Sequence, residues 1–138
     1  MLQHIPNSLA AFFNDRRKVP KLLADLEFLG YEAADRLPMC RSLPPLDSVP
    51  GILGSLYVVE GATLGGQLIS RHLERTLGLR EGRGYAFFSS YGPQVGSRWR
   101  SFRDVLLSCS TEQDDDRIVD SATATFRGMY AWLCGRGA

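Results

Sequence analysis

Apolar residues recur at close to helical spacing through the centre of the chain, from Leu53 to Leu77. A period of three to four residues predicts one long helix there. Ser48 is a suitable N-cap with Pro50 in the first turn, and Gly78 is a suitable stop, so the helix is expected over residues 48–77. The same reasoning predicts shorter helices at residues 20–29, 93–109 and 111–134.

The ends of these shorter helices carry signals of their own. Pro20 suits a first helical position and Gly30 a helix end. Thr111 with Asp114 three residues later resembles an acidic capping box. Four of the seven prolines fall in residues 31–50, which predicts an extended connection with short helical pieces at best. Residues 79–92 are expected to form a packed, glycine-rich loop, and no pair of strands is predicted, so the fold class is all-α.

Each predicted helix has an apolar side that is expected to be buried. Before the first of them, a short helix is expected through Leu9, Phe12 and Phe13. For helix 20–29 the apolar side consists of Leu22, Leu23, Leu26 and Leu29, and for the last helix of Ile118, Val119, Ala122, Phe126, Met129, Tyr130 and Leu133. The aromatic set of Trp99, Phe102, Phe126 and Trp132 is expected to belong to the core.

Three glycines, Gly61, Gly65 and Gly66, interrupt the middle of the long helix. Each costs about 1 kcal/mol relative to alanine in a helix interior, so their missing side chains are expected to serve a purpose. Gly61 and Gly65 lie on one face, where another helix or a planar cofactor could approach closely. A phosphate loop is excluded, because its lysine and its preceding strand are missing. Glu60 is expected to face solvent or pair with an arginine, without a catalytic role.

Composition narrows the function classes. The 138 residues are 44% hydrophobic and 22% charged with a net charge of +1, which is typical of one globular domain and does not favour nucleic acid as a partner. Three widely spaced cysteines predict neither a disulfide framework nor a zinc site. This cysteine pattern fits a reducing cytosol best, so a cytoplasmic protein is expected. Neither a signal peptide nor a stretch of membrane-spanning length is recognised, and no contact with a membrane is expected.

The ordered set of motifs resembles the heme oxygenases, in particular the biliverdin-producing bacterial group associated with bacteriophytochromes. The most specific piece is the segment LYVVEGATLGGQ at residues 56–67. The other matching pieces, in chain order, are Arg17-Lys18-Val19-Pro20, Leu23-Ala24-Asp25-Leu26, Arg71-His72-Leu73, Phe87-Phe88, Tyr91-Gly92, Trp99-Arg100 with Phe102, Thr125-Phe126 and Trp132. The resemblance covers nearly the whole chain, as a single helical domain over residues 1–138.

The resemblance implies oxygen-dependent cleavage of heme to biliverdin, with release of iron and carbon monoxide. Heme would be both substrate and cofactor, and electrons would come from a separate donor. The glycines Gly61, Gly65 and Gly66 would lie over one heme face and leave room for dioxygen. Arg100 would meet a heme propionate, since its planar fork can bind both carboxylate oxygens. The remaining heme contacts implied are Tyr57, Leu64, Ile69, Phe126 and Met129.

One departure from the family concerns the iron ligand. The family holds iron through a proximal histidine on its first helix, whereas the resemblance here begins just before Arg16, so a bundle lacking that helix is expected. The two histidines, His4 and His72, are not assigned as ligands, and no metal-ligating residue is predicted. The alternative is an inactive helical domain that dimerises through its exposed faces or needs a partner segment.

Overall fold

The computed structural model describes residues 7–135, and within that range every regular element is helical. This confirms the all-α class. The six α-helices are α1 (Asn7–Asn14), α2 (Val19–Phe28), α3 (Val49–Leu77), α4 (Ala86–Ser89), α5 (Val95–Cys109) and α6 (Asp115–Leu133), with short 3-10 turns at Ala34–Arg36 and Gly92–Gln94.

Helix α3 is the central element, and its ends are where the sequence places them. The Ser48 side chain accepts a hydrogen bond from the Gly51 backbone N–H at 3.3 Å, which satisfies one of the free donors of the first turn. Gly78 ends the helix in the left-handed conformation, with φ 67°, which a residue with a Cβ rarely adopts. Helix α3 packs along α6 and also contacts α4 and α5.

The crossing of α3 and α6 is close because small residues meet there. A Cβ on Gly54 would lie 2.2 Å from the carbonyl oxygen of Ile118 and 2.8 Å from the Ser121 Cβ, so only glycine fits. The Ser121 hydroxyl donates a hydrogen bond of 2.6 Å to the carbonyl of Gly51. The backbones of α3 and α6 can therefore approach each other closely, because only small residues lie between them. The larger side chains lie to either side of this contact.

This crossing corrects the predicted buried side of α6. The buried residues are Ile118, Ser121 and Thr125. The prediction was wrong for several of the larger apolar residues, because the small residues make the contact and leave them at the edge. The exposed members of the predicted set are Val119, Phe126, Met129, Tyr130 and Leu133.

Helix α2 also differs from its prediction in what it buries. Leu22, Leu23 and Leu29 are exposed, whereas Asp25 is buried. The Asp25 carboxylate accepts hydrogen bonds from the backbone N–H groups of Ala86 and Phe87, at 2.6 and 2.8 Å. A polar contact with the first turn of α4 thus anchors α2, and its apolar residues remain at the surface.

Two further boundaries are corrected. The segment expected to be a loop contains the helical turn α4, whose first N–H groups bind Asp25. Helix α6 begins at Asp115 rather than at Thr111, and the predicted cap is not formed. The Thr111 hydroxyl instead donates to the Asp114 carboxylate at 2.9 Å, which stabilises the preceding turn.

Helix α3 is the one helix of the described range that is long and apolar enough to cross a membrane, with a mean hydropathy of 1.3 over its best window. This corrects the expectation that no stretch has the necessary length. The test rests on length and composition only, and a central helix packed by three neighbours also passes it.

Candidate functional site

A cavity of about 400 Å³ lies between α3 and α6, on one side of their crossing. Its walls are almost entirely apolar, and its size falls within the range of small-molecule sites. The residues that line it are Tyr57, Val58, Gly61 and Ala62 from α3, and Phe126, Met129, Tyr130 and Leu133 from α6. Gly61 and Ala62 place almost bare backbone on the α3 side, so a flat apolar molecule could approach that helix closely.

The three central glycines do not share one environment. A Cβ on Gly61 would make ordinary contact with the Trp99 ring at 3.8 Å, and one on Gly65 would have no neighbour within 4 Å. A Cβ on Gly66 would lie 2.1 Å from the carbonyl oxygen of Phe88. Gly66 therefore serves the packing of α3 on α4, on the side of the helix away from the cavity.

The other predicted contact residues are distributed unevenly around the cavity. Phe126 and Met129 line it together with Tyr57, whose ring centre lies 5.4 Å from that of Trp99. Leu64 and Ile69 are exposed on α3 but do not line this cavity. The same holds for Arg100, which is exposed on α5. The described structure thus brings together Gly61, Tyr57, Phe126 and Met129.

A buried polar cluster occupies another side of α3, centred on Glu60. Its side chain is 1% exposed and forms ion pairs with Arg16 and Lys18, the Lys18 Nζ lying 3.1 Å from Oε1. The Tyr91 hydroxyl donates to the same oxygen at 2.8 Å, and Lys18 donates to the Tyr91 oxygen at 2.6 Å. Arg16 also donates to the backbone carbonyl of Arg98 at 3.2 Å.

Burial changes the acid–base properties of this cluster. Removal from water lowers the pKa of the Lys18 ammonium, and the opposing attraction of Glu60 is the smaller effect. Burial likewise raises the pKa of the Tyr91 phenol, reinforced by its hydrogen bond to the Glu60 carboxylate. At the edge of the cluster, the hydrogen bond and charge of Arg98 lower the pKa of Asp15.

Sequence reasoning found only part of this cluster. The pairing of Glu60 with an arginine is confirmed, but its burial was not expected. Arg16 and Lys18 are buried on either side of the exposed Arg17, and no sequence pattern predicted that they meet Glu60. The available signal was Glu60 itself, the one charged residue between positions 49 and 70 of α3. A buried acid in such a stretch needs cations as partners wherever the helix is covered.

The residues that could bind iron directly are few. His72 is exposed in the second half of α3, and His4 lies outside the described residues. Within residues 7–135, His, Cys, Asp and Glu side chains form no group of three or more that could hold a metal ion. The lining of the apolar cavity contains no His, Cys, Asp or Glu side chain.

The fold and cavity together define an all-α protein whose glycine-bearing central helix borders an apolar cavity. The family model described as heme oxygenase matches residues 24–134, and the chain belongs to the heme oxygenase family.

A curated relative is consistent with this membership. A heme oxygenase of Xanthomonas campestris pv. campestris (strain 8004) is 38% identical over 92 residues, which are 66% of this chain and 51% of the relative. The chain thus aligns with about half the length of that relative. No solved structure matches the chain significantly.

Proposed function

We propose that the cavity between α3 and α6 binds heme and that the chain takes part in the oxygen-dependent cleavage of heme to biliverdin, iron and carbon monoxide. The observation that carries this proposal is the apolar cavity with Gly61 and Ala62 on its α3 side. A macrocycle is flat and largely apolar, so it gains most from a wall without protruding side chains. Family membership supports the same ligand.

The chain's own residues would bind and orient the heme. Phe126 and Met129 would pack on the ring from α6, while Gly61 and Gly65 would allow close approach from α3. Arg100, exposed on the neighbouring α5, would meet a propionate. When bound, heme supplies the oxygen-activating chemistry, and the apolar walls would exclude bulk water from it.

We further propose that this is the biliverdin-producing bacterial type associated with bacteriophytochromes, with electrons supplied by a separate donor protein. The segment at residues 56–67 supports this assignment. No residue of the described range is assigned as a ligand of the heme iron. Action in the cytoplasm is part of the same proposal.

A hemin titration followed by visible absorption tests the heme site. The wild-type chain should give a Soret band that saturates at one heme per chain. Gly65→Leu should weaken binding by more than about tenfold, because a bulky side chain would stand on the helix face that must lie near the ring, and tenfold corresponds to only about 1.4 kcal/mol.

Gly96→Leu is the matched control, because Gly96 is also a helical glycine with open space around its missing Cβ. This variant should bind hemin as the wild type does. A wild-type spectrum that stays that of free hemin would overturn the proposed site. Biliverdin formation after addition of reductant and oxygen then tests the reaction.

A further inference from the structure

We propose that Glu60 is a positioning residue: by binding Arg16, Lys18 and Tyr91 it fixes the rotation of α3 about its axis and so holds Gly61 at the heme cavity. This inference rests on the proposed function for its ligand. Its structural part, the locking of α3, is testable without heme.

The carboxylate of Glu60 joins segments that are distant in the chain. Arg16 and Lys18 come from the connection between α1 and α2, and Tyr91 comes from the connection between α4 and α5. Arg16 and Tyr91 donate hydrogen bonds to one buried carboxylate, and Lys18 forms an ion pair with it. Neither connection can therefore move without breaking a charged contact. The cluster is therefore a fixed point between three parts of the fold.

Buried charge makes this arrangement strongly dependent on geometry. Glu60 and Arg16 each have side chains that are 1% exposed, and Lys18 is 7% exposed. A displaced carboxylate would leave two cations in a poorly hydrated interior, which is far more costly than the loss of a surface ion pair. Alternative rotations of α3 are excluded for this reason.

The cavity side and the anchored side of α3 are roughly opposite. Successive helical residues are about 100° apart, so Glu60, Thr63 and Gln67 share one side, and Gly61 and Gly65 share another. Gln67 donates to the carbonyl of Gly92 at 2.9 Å, which ties this side to the same connection that holds Tyr91. Any rotation that released Glu60 would carry Gly61 away from the cavity.

Two variants remove the contact with little change in shape. Glu60→Gln keeps the volume and removes the charge, and Tyr91→Phe removes one hydroxyl. Tyr85→Phe is the matched control, because the Tyr85 hydroxyl also donates to a glutamate, Glu74, at a place that does not adjoin Gly61.

Hydrogen exchange in the free protein is the first measurement. Both test variants should accelerate exchange of the amides of residues 61–66 by about tenfold, the factor expected when one hydrogen bond to a charged group is lost. Exchange within residues 122–129 of α6 should accelerate clearly less, and the excess acceleration of residues 61–66 should be absent from Tyr85→Phe. An equal acceleration in all helices would overturn the proposal, since it would indicate only lower global stability.

Hemin affinity is the second measurement. Glu60→Gln and Tyr91→Phe should weaken hemin binding by about tenfold and broaden the Soret band, and the double variant should lose little more, because Tyr91 acts through Glu60. Unchanged affinity in variants with accelerated local exchange would overturn the link to the cavity. If the wild type fails to bind hemin, the proposed function is overturned, and the exchange pattern still decides whether Glu60 locks α3.

Discussion

At the scale of single residues, the buried acid Glu60 holds the apolar part of helix α3 in place by binding side chains from two neighbouring connections. Its carboxylate is buried only because two cations and a phenol reach it. A buried ion pair adds little stability compared with apolar side chains of the same shape. Breaking the pair is costly, however, because it leaves a buried charge without a partner. The main effect of the cluster is therefore to fix the position of α3, and its contribution to the stability of the fold is smaller.

Glu60→Ala should destabilise the protein by about 3–5 kcal/mol, because it leaves Arg16 and Lys18 buried without a counter-charge. The free energy of unfolding from urea titration measures this. Glu112→Ala, at an exposed site, is the control and should change it by less than about 0.5 kcal/mol. Equal effects at both sites would contradict the burial of the cluster.

Tyr91 adds a dependence on alkaline pH. Its pKa is raised by burial and by the Glu60 hydrogen bond, so the folded state keeps the phenol proton where the unfolded state loses it. This contribution is complete below about pH 10, the ordinary tyrosine value, and is lost as the pH rises above it. Wild type should therefore exceed Tyr91→Phe by roughly 1–2 kcal/mol at pH 8. Urea titrations at pH 8 and pH 11 should show this gap shrinking, and a constant gap would contradict the assignment.

At the scale of elements, the neighbouring glycines Gly65 and Gly66 differ in what they do. Gly65→Ala should stabilise the free protein by up to about 1 kcal/mol, because alanine favours the helix and its methyl group meets open space. Gly66→Ala should destabilise it by about 1–3 kcal/mol, because the new methyl group would collide with the Phe88 carbonyl. Thermal unfolding of the pair measures both, and the same sign for both would contradict this packing.

The elements also show how far the sequence predicts the fold. Local signals were sufficient for α3, since Ser48 and Gly78 act within one turn of the residues they cap. The start of α6 was wrong because the polar side chains of residues 110–116 can stabilise a turn as well as a helix. The buried sides of α2 and α6 were wrong because periodicity identifies an apolar face, but not which face another element covers.

In the candidate site too, the local features could be predicted from the sequence and the long-range contacts could not. Of the three glycines in the pattern, only Gly61 lines the cavity on α3, and Phe126 and Met129, which the resemblance implied, line it from α6. The Glu60 cluster needs residues 44 positions apart to meet, and helical periodicity carries no information over that distance. The sequence shows that Glu60 needs partners, but only the three-dimensional structure shows which residues they are.

At the scale of the whole molecule, the most informative feature is apolar surface around the cavity. Phe126 is 64% exposed and Leu133 is 77% exposed, and both line the cavity. Exposed apolar patches of this kind mark ligand grooves or interaction surfaces. The free protein should therefore bind the dye ANS, and hemin should displace it in proportion to the fraction of chains that carry heme.

Fluorescence titration with two variants distinguishes this face from other apolar surface. Phe126→Ser should reduce both the hemin-sensitive part of the ANS signal and hemin affinity, because it removes an aromatic wall of the cavity. Met39→Ser, at a residue that is 77% exposed in the connection between α2 and α3, should leave the hemin-sensitive part unchanged. If hemin leaves the ANS signal intact while it binds, the ligand occupies another surface. In that case we expect a second copy of the chain to cover the apolar residues around the cavity. Sedimentation at increasing protein concentration would then show dimer formation.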